Sequence, residues 1–226
     1  MSLRAVLFDH DGTLVDSEPR HFQAWNAALA PYGVVLSEAL YREHYSGIAT
    51  QANANDLVQR FGLRVDASVL AREKSAILRA GLAQQAFALM PGAREAVLAC
   101  RGAGLQLAVV TGASAAEVGN SLQAHALQQH FALIVANEDV ARGKPHPDGY
   151  RLALQGLGLA ASHCLAIEDT AHGVQAARAA GIDCLAIPNA YSQSHDFSAA
   201  TTVLRDLVAA TQFVQRRLQG DRRSGQ

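Results

Sequence analysis

Five short apolar runs recur along the chain, and each is continuous rather than alternating between apolar and polar positions. A strand of a parallel sheet has this pattern, because helices cover both faces of the sheet and bury every side chain. The runs therefore predict five buried strands, at residues 4–9, 105–111, 133–136, 164–168 and 184–187.

Helical patterns separate these strands, at residues 92–101, 114–125 and 171–180. Ser114 is a favoured residue at a helix start, and Gly181 is favoured just beyond a helix end. Strands that alternate with helices predict an α/β fold with a parallel sheet.

Residues 18–85 break this alternation, because they contain no buried-strand run. They predict four helices, at 21–30, 37–45, 50–61 and 67–81, inserted directly after the first strand. We therefore expect a core of residues 1–15 and 87–226 and a helical cap of residues 16–86. The two crossings, near Asp16 and near residues 87–91, are candidate hinges.

Composition narrows the class of protein. Half of the 226 residues are hydrophobic and 17% are charged, which excludes wholesale disorder. Nineteen Lys and Arg residues against 20 Asp and Glu residues give a net charge of −1, which argues against a nucleic-acid binder that relies on positive charge. No run of about 18 apolar residues is present to cross a membrane. Three separated cysteines and no signal-peptide pattern predict a cytoplasmic protein.

Polar segments follow the predicted strands at their carboxyl ends, where ligands bind in open α/β sheets. Asp9 and Asp11 follow the first strand, and Gly12 permits a tight turn. One carboxylate could attack an electrophile while the other moves a proton, although an Asp-rich turn is the simpler interpretation of such a segment taken alone.

The other three segments point to an anion and a cation. Thr111 is followed by small residues and a helix start, which could aim backbone N–H groups at an anion, or could be only a helix cap. Lys144 lies between Gly143 and Pro145 and suits a fixed cation opposite phosphate oxygens, or a solvated loop lysine. The adjacent acids Glu168 and Asp169 suit a hard cation, or a helix cap.

Together, in this order and at four strand ends, these segments resemble the four motifs of the haloacid dehalogenase superfamily of phosphotransferases. The resemblance covers residues 4–190 and is greatest for the β-phosphoglucomutase-like phosphatases. It implies a Rossmann-like, doubly wound parallel sheet with an inserted four-helix cap. The phrases that carry it are Gly143-Lys144-Pro145-His146-Pro147, Glu168-Asp169-Thr170, His21-Phe22-Gln23-Ala24-Trp25 and Leu70-Ala71-Arg72-Glu73-Lys74.

The resemblance also implies a role for each motif residue. Asp9 would be the nucleophile that forms an aspartyl-phosphate, and Asp11 the general acid and base. The phosphoryl group would be bound by Thr111, Gly112, Ala113 and Lys144. Mg²⁺ would be held by Asp9, the main-chain carbonyl of Asp11, Glu168 and Asp169. In the cap, the residues expected to contact substrate are His21, Gly47 and Lys74.

His10 lies between the two acids, where this family usually has an apolar residue. We expect it to be a structural or hydrogen-bonded histidine that points away from the side chains of both neighbours.

The cap also bears on the reaction. In the mutase, basic residues stand where this sequence has Ser46 and Thr50, and they grip the distal phosphate of a bisphosphate. We therefore expect a Mg²⁺-dependent phosphatase acting on a small phosphorylated metabolite, such as a sugar phosphate. We expect no nucleic-acid or membrane partner, and a monomer or a small homo-oligomer.

Four alternatives stay open to different degrees. A β-phosphoglucomutase-type phosphotransferase is the nearest alternative. A haloacid dehalogenase needs neither Mg²⁺ nor an acid at the second position, so Asp11 counts against it. A phosphonatase has a small residue in place of Asp11, and a non-catalytic module would be expected to lack one or more motif acids. This sequence has all of them.

Overall fold

A parallel sheet forms the centre of the larger of two units in the computed structural model, which describes residues 2–224. The larger unit comprises Met1–Asp16 and Ala88–Gln226, and the smaller comprises Ser17–Phe87. The strands are β1 (Ala5–Phe8), β2 (Val15–Asp16), β3 (Ala88–Leu89), β4 (Gln106–Val110), β5 (Leu133–Val135), β6 (Cys164–Glu168), β7 (Asp183–Ala186) and β8 (Thr202–Val203).

The order across the sheet is β5-β4-β1-β6-β7-β8, and every neighbouring pair is parallel. The chain leaves β1 toward β4 and β5 and then returns to the other side of β1, so the order reverses beside β1. The expected α/β fold with a doubly wound parallel sheet is confirmed. Such a reversal opens a crevice at the carboxyl ends of the strands.

All five predicted strands are present, with ends within one or two residues of the prediction. The sequence pattern missed β8 and the antiparallel pair of β2 and β3, in which Val15 is opposite Leu89. Each missed strand has two residues, which is too short for a periodic pattern to identify.

Both units contain helices. They are α1 (Glu18–Leu29), α2 (Glu38–His44), α3 (Thr50–Phe61), α4 (Ala67–Gln84), α5 (Ala93–Gly102), α6 (Ala115–Ala124), α7 (Asp148–Leu157), α8 (Ala171–Ala179) and α9 (Leu207–Ser224). The prediction gave no range for α7 or for α9. Among the described residues, no helix is both long enough and apolar enough to cross a lipid bilayer.

One face of the sheet packs against α7 and α8 in a single buried cluster. Leu7, Val110 and Ala166 contribute from the strands, and Tyr150 and Val174 contribute from the two helices. The register brings the ends of the central strands level, because Phe8 is opposite both Val109 and Ile167. The residues that follow these strands therefore meet at one edge of the sheet.

The smaller unit is helical throughout its regular structure. Helix α4 packs against α1 and against α3, and the buried side chains include Trp25, Tyr41 and Leu57. Side chains cap the starts of α2 and α4, since the Ser37 hydroxyl accepts from the Leu40 N–H and the Asp66 carboxylate accepts from the Ser68 N–H.

Candidate active site

Asp9 lies directly beyond the end of β1, where its N–H donates to the carbonyl of Ile167 on β6. The chain then turns sharply at Gly12, whose φ is 78°. A Cβ at Gly12 would lie 2.2 Å from Oδ2 of Asp169, so only glycine lets the two acidic loops approach so closely.

Lys144 connects the nucleophile candidate to the second acidic loop. Its Nζ lies 2.5 Å from Oδ1 of Asp9, 2.6 Å from Oε1 of Glu168 and 2.9 Å from the carbonyl oxygen of Val110. The contacts with Asp9 and Val110 are hydrogen bonds and the contact with Glu168 is an ion pair, so the ammonium is held from three sides. The lysine is therefore a fixed cation and not a solvated loop residue.

Glu168 is fully buried at the end of β6 and receives a second donor at the same oxygen. The Tyr150 hydroxyl, from α7, donates to Oε1 of Glu168 at 2.6 Å. The other oxygen, Oε2, is buried and has no hydrogen-bond partner among the described residues. A Cβ at Gly173 would lie 1.9 Å from Oε2, so the carboxylate occupies the space that this glycine leaves in α8.

Three carboxylates come together beside Lys144. Single oxygens of Asp9, Glu168 and Asp169 lie within 4.8 Å of one another, and all three residues are buried. Asp169 is oriented by Asn189, whose side-chain amide donates to Oδ2 at 2.8 Å. Buried oxygen-only donor sets suit a hard divalent cation, and the buried Oε2 of Glu168 has no hydrogen-bond partner among the described residues. The residues therefore fit a site for a divalent cation.

The charges of this cluster oppose one another. Burial raises the pKa of Asp9 to about 7, with the Lys144 charge acting against this rise and the Glu168 and Asp11 charges adding to it. Burial acts to lower the pKa of Lys144, but the charges of Asp9 and Glu168 outweigh it and raise that pKa above its usual value. The lysine is therefore cationic at neutral pH.

The loop after β4 differs in detail from the sequence prediction. Thr111 lies at the same edge, where its N–H donates to Val135 and its hydroxyl accepts from the Ala113 N–H at 3.0 Å. The Ala113 N–H thus donates within the turn, and its expected contact with a phosphoryl group stays a prediction. Gly112 is exposed at the turn.

The start of α6 is also closed by its own side chains. Ser114 and Glu117 form a reciprocal capping box, and the Ala115 N–H donates to Glu138 at 3.1 Å. The N–H groups of Ser114, Ala115 and Glu117 therefore donate within the protein, and the expected binding of an anion at this helix start stays a prediction.

His10 is fully buried and hydrogen-bonded, as the sequence predicted. Its Nε2 lies 2.6 Å from the Ser121 hydroxyl, which donates to the Val118 carbonyl and so accepts from the ring. The expectation that it points away from both neighbours is wrong for Asp11, because its Nδ1 lies 3.4 Å from Oδ2 of that residue. The anchor is a helix serine far away in sequence, which the local pattern could not reveal.

The candidate cap residues lie in the helical unit. Lys74 is buried, with its Nζ 2.7 Å from Nδ1 of His21 and 3.2 Å from the Thr50 hydroxyl. These two candidates are therefore in direct contact. Gly47 makes a different contact, donating its N–H to the buried carboxylate of Glu18 at 3.1 Å.

Sequence reasoning missed two residues of the core site. Asn189 follows β7 and contacts Asp169, and a polar residue just after a predicted strand was a signal that could have identified it. Tyr150 gave no such signal, because it lies inside a helix that the pattern did not predict.

The fold and the buried carboxylate–lysine cluster define a hydrolase of the α/β class with a helical insert. Over residues 3–181 the sequence matches the haloacid dehalogenase-like hydrolases. The chain belongs to this family, as the motifs predicted.

Individual relatives agree with this assignment. The chain is 34% identical to the protein CbbY of Rhodobacter capsulatus over 95% of this chain and 98% of the relative. It is 34% identical to fructose-1-phosphate phosphatase YqaB of Escherichia coli strain K12, over 80% and 94% of the two chains. The crystal structure of CbbY from Rhodobacter sphaeroides in complex with phosphate superposes with a TM-score of 0.79 at 30% identity, covering 91% and 95%. The predicted enzyme class, a phosphoric monoester hydrolase, agrees with these relatives.

Proposed function

We propose that this protein is a Mg²⁺-dependent phosphatase that hydrolyses a small sugar phosphate through an aspartyl-phosphate at Asp9. The observation that carries the proposal is the position of the Asp9 carboxylate, bonded to the Lys144 ammonium and within 4.8 Å of the Glu168 and Asp169 oxygens. A nucleophile, a fixed cation and a divalent-metal site are the parts that phosphoryl transfer requires.

In the first step, the Asp9 carboxylate attacks phosphorus and the bond to the sugar oxygen breaks. Asp11 gives its proton to the departing oxygen, so that an alcohol leaves rather than an alkoxide. Lys144 and Thr111 bind the phosphoryl oxygens. When bound, Mg²⁺ supplies positive charge that offsets the repulsion between Asp9, Asp169 and the phosphoryl oxygens.

In the second step, Asp11, now a carboxylate, accepts a proton from water as the water oxygen attacks phosphorus. The bond between phosphorus and Asp9 breaks, which releases phosphate and restores both carboxyl groups. The same residue thus serves as acid and then as base.

The names of the relatives support a phosphorylated sugar as the substrate. One relative is a fructose-1-phosphate phosphatase, and another binds phosphate in its crystal structure. Ser46 and Thr50 favour hydrolysis over a mutase reaction, because neither adds positive charge to hold a second phosphate. Thr50 in addition already contacts Lys74.

We further propose that His21, Gly47 and Lys74 contribute to the choice of the sugar. For Lys74→Ala we expect a much larger loss of kcat/KM on a sugar phosphate than on a small aryl phosphate, because the core binds the phosphoryl group that both share. Lys74→Met keeps most of the buried side-chain volume and is the packing control. Equal losses on both substrates would contradict a role in selection.

The main test of the proposed function is phosphate release from a panel of sugar phosphates and an aryl phosphate. We expect release in the presence of Mg²⁺ that EDTA abolishes and that added Mg²⁺ restores. Asp9→Asn should abolish turnover while the circular-dichroism spectrum stays unchanged, because the amide has nearly the same shape but is a poor nucleophile.

Three results would overturn the proposal. Metal-independent release of chloride from a haloacid would identify a dehalogenase. Substantial phosphatase activity in Asp9→Asn would exclude the aspartyl-phosphate route. Isomerisation of a sugar phosphate without net phosphate release would instead identify the mutase alternative.

A further inference from the structure

Three protein oxygens surround the ammonium of Lys144. It donates hydrogen bonds to Asp9 at 2.5 Å and to the Val110 carbonyl at 2.9 Å, and it forms an ion pair with Glu168 at 2.6 Å. To bind a phosphoryl oxygen, as the proposed function requires, the ammonium must turn away from one of these oxygens.

Glu168 is the acceptor with a replacement donor in place. Its Oε1 is paired with the Lys144 ammonium and also accepts a hydrogen bond from the Tyr150 hydroxyl, at 2.6 Å in each case. Asp9 and Val110 have no second side-chain donor of this kind among the described residues. Loss of the lysine bond would therefore leave Oε1 of Glu168 still hydrogen-bonded.

The tyrosine is built into this position. Tyr150 is fully buried within the core cluster between the sheet, α7 and α8. The Lys144 ammonium lies 5.6 Å from the centre of its ring. Lys144, Tyr150 and Thr111 also line one pocket, together with other residues of the same unit.

We propose that Tyr150 is a positioning residue that takes over Glu168 when Lys144 turns one N–H bond from Glu168 to the phosphoryl group. This inference rests on the proposed function. In the free enzyme both donors hold Oε1, and in the phosphate-bound enzyme Tyr150 holds it alone. Tyr150 thereby lowers the free-energy cost of recruiting the lysine to the substrate.

The proposal predicts that Tyr150→Phe weakens the binding of phosphate but not the binding of Mg²⁺ alone. Without phosphate, Lys144 still holds Glu168 in the variant, so the affinity for Mg²⁺ alone should change less than about twofold. With phosphate bound, Oε1 of Glu168 would lose its last donor. A hydrogen bond to a buried charged group is worth enough that the affinity for inorganic phosphate, measured with saturating Mg²⁺, should fall about tenfold to a hundredfold.

Titration calorimetry of the full chain with Mg²⁺ alone, and then with inorganic phosphate in Mg²⁺, measures both quantities. Tyr45→Phe is the matched control, because it removes another tyrosine–carboxylate bond, to Asp56 at 2.5 Å in the helical unit. We expect Tyr45→Phe to bind phosphate like the parent chain. In turnover, Tyr150→Phe should raise KM more than it lowers kcat.

Two outcomes would overturn the inference. Unchanged affinities for both ligands would show that the hydroxyl is dispensable. A parallel fall in Mg²⁺ and phosphate affinity would show that Tyr150 holds Glu168 equally in both states, which is a structural role. If the parent chain itself bound neither ligand, the proposed function would fail first, and that result is distinct from either outcome.

Discussion

At the scale of single residues, Asp9 lies in surroundings that disfavour its own charge. Burial raises its pKa to about 7 even though Lys144 donates a hydrogen bond to it. The carboxylates of Glu168 and Asp169 lie in the same cluster, and the Lys144 ammonium pairs with Asp9 and Glu168. A divalent ion at this cluster would reverse the balance and restore an ionised nucleophile at neutral pH.

Asp11 has the most direct kinetic test among these residues. We expect Asp11→Asn to lower kcat by about 10²- to 10⁴-fold on a sugar phosphate, because the amide can neither protonate the leaving oxygen nor activate water. The first step should suffer less with an aryl phosphate, whose leaving group needs no proton. Burst and steady-state kinetics on both esters separate the two steps. An unchanged rate and pH profile on the sugar phosphate would exclude Asp11 as the acid.

At the scale of elements, the site depends on how closely helix α8 approaches the end of β6. Gly173 lies in the first turn of α8, where alanine is normally the better helix former. The Glu168 carboxylate occupies the position of the missing Cβ. The glycine is therefore required for the packing of the acidic cluster, although it lowers the stability of the helix.

Gly173→Ala should consequently destabilise the protein, by about 1–3 kcal/mol, because the added methyl group forces Glu168 out of its buried position. Gly119→Ala in α6 is the control, since a Cβ there meets nothing within 4 Å. That change should stabilise the protein by about 0.5–1 kcal/mol. Urea unfolding of both variants gives the two values. If Gly173→Ala stabilised the protein as Gly119→Ala does, Glu168 would have to move freely out of the way of the added methyl group.

At the scale of the whole molecule, the site imposes a pH dependence on unfolding. The folded-state pKa of Asp9 lies above its unfolded value, so its contribution to stability is present below about pH 4 and is lost as pH rises through about 7. An asparagine at this position carries no charge at any pH and avoids the loss.

The free energy of unfolding of Asp9→Asn, relative to the parent chain in EDTA, should therefore increase between about pH 4 and pH 7 and level off above that. Asp196→Asn is the control, because hydrogen bonds from the backbone and side chain of Ser198 lower the pKa of that exposed carboxyl. It should show no such increase. A difference for Asp9→Asn that is constant across this range would contradict the raised pKa.

The sequence by itself determined the five main strands, the helical stretch inserted after the first of them, and the family. Continuous apolar runs report burial on both faces of a sheet, and motif residues follow those runs directly along the chain. Asp9, Thr111 and Glu168 could thus be placed at one edge from local pattern alone, because parallel strands end at the same side.

Only the tertiary structure decided which donors and acceptors meet. Lys144 reaches Asp9 across 135 positions of sequence, Tyr150 reaches Glu168 from a helix that the pattern missed, and Ser121 anchors His10 from α6. The sequence pattern also gave no sign that the Ala115 N–H at the start of α6 donates to Glu138, because Glu138 lies in another loop. Periodicity records which side of an element is buried, whereas a hydrogen bond depends on which elements pack together and on the angle at which each side chain leaves them.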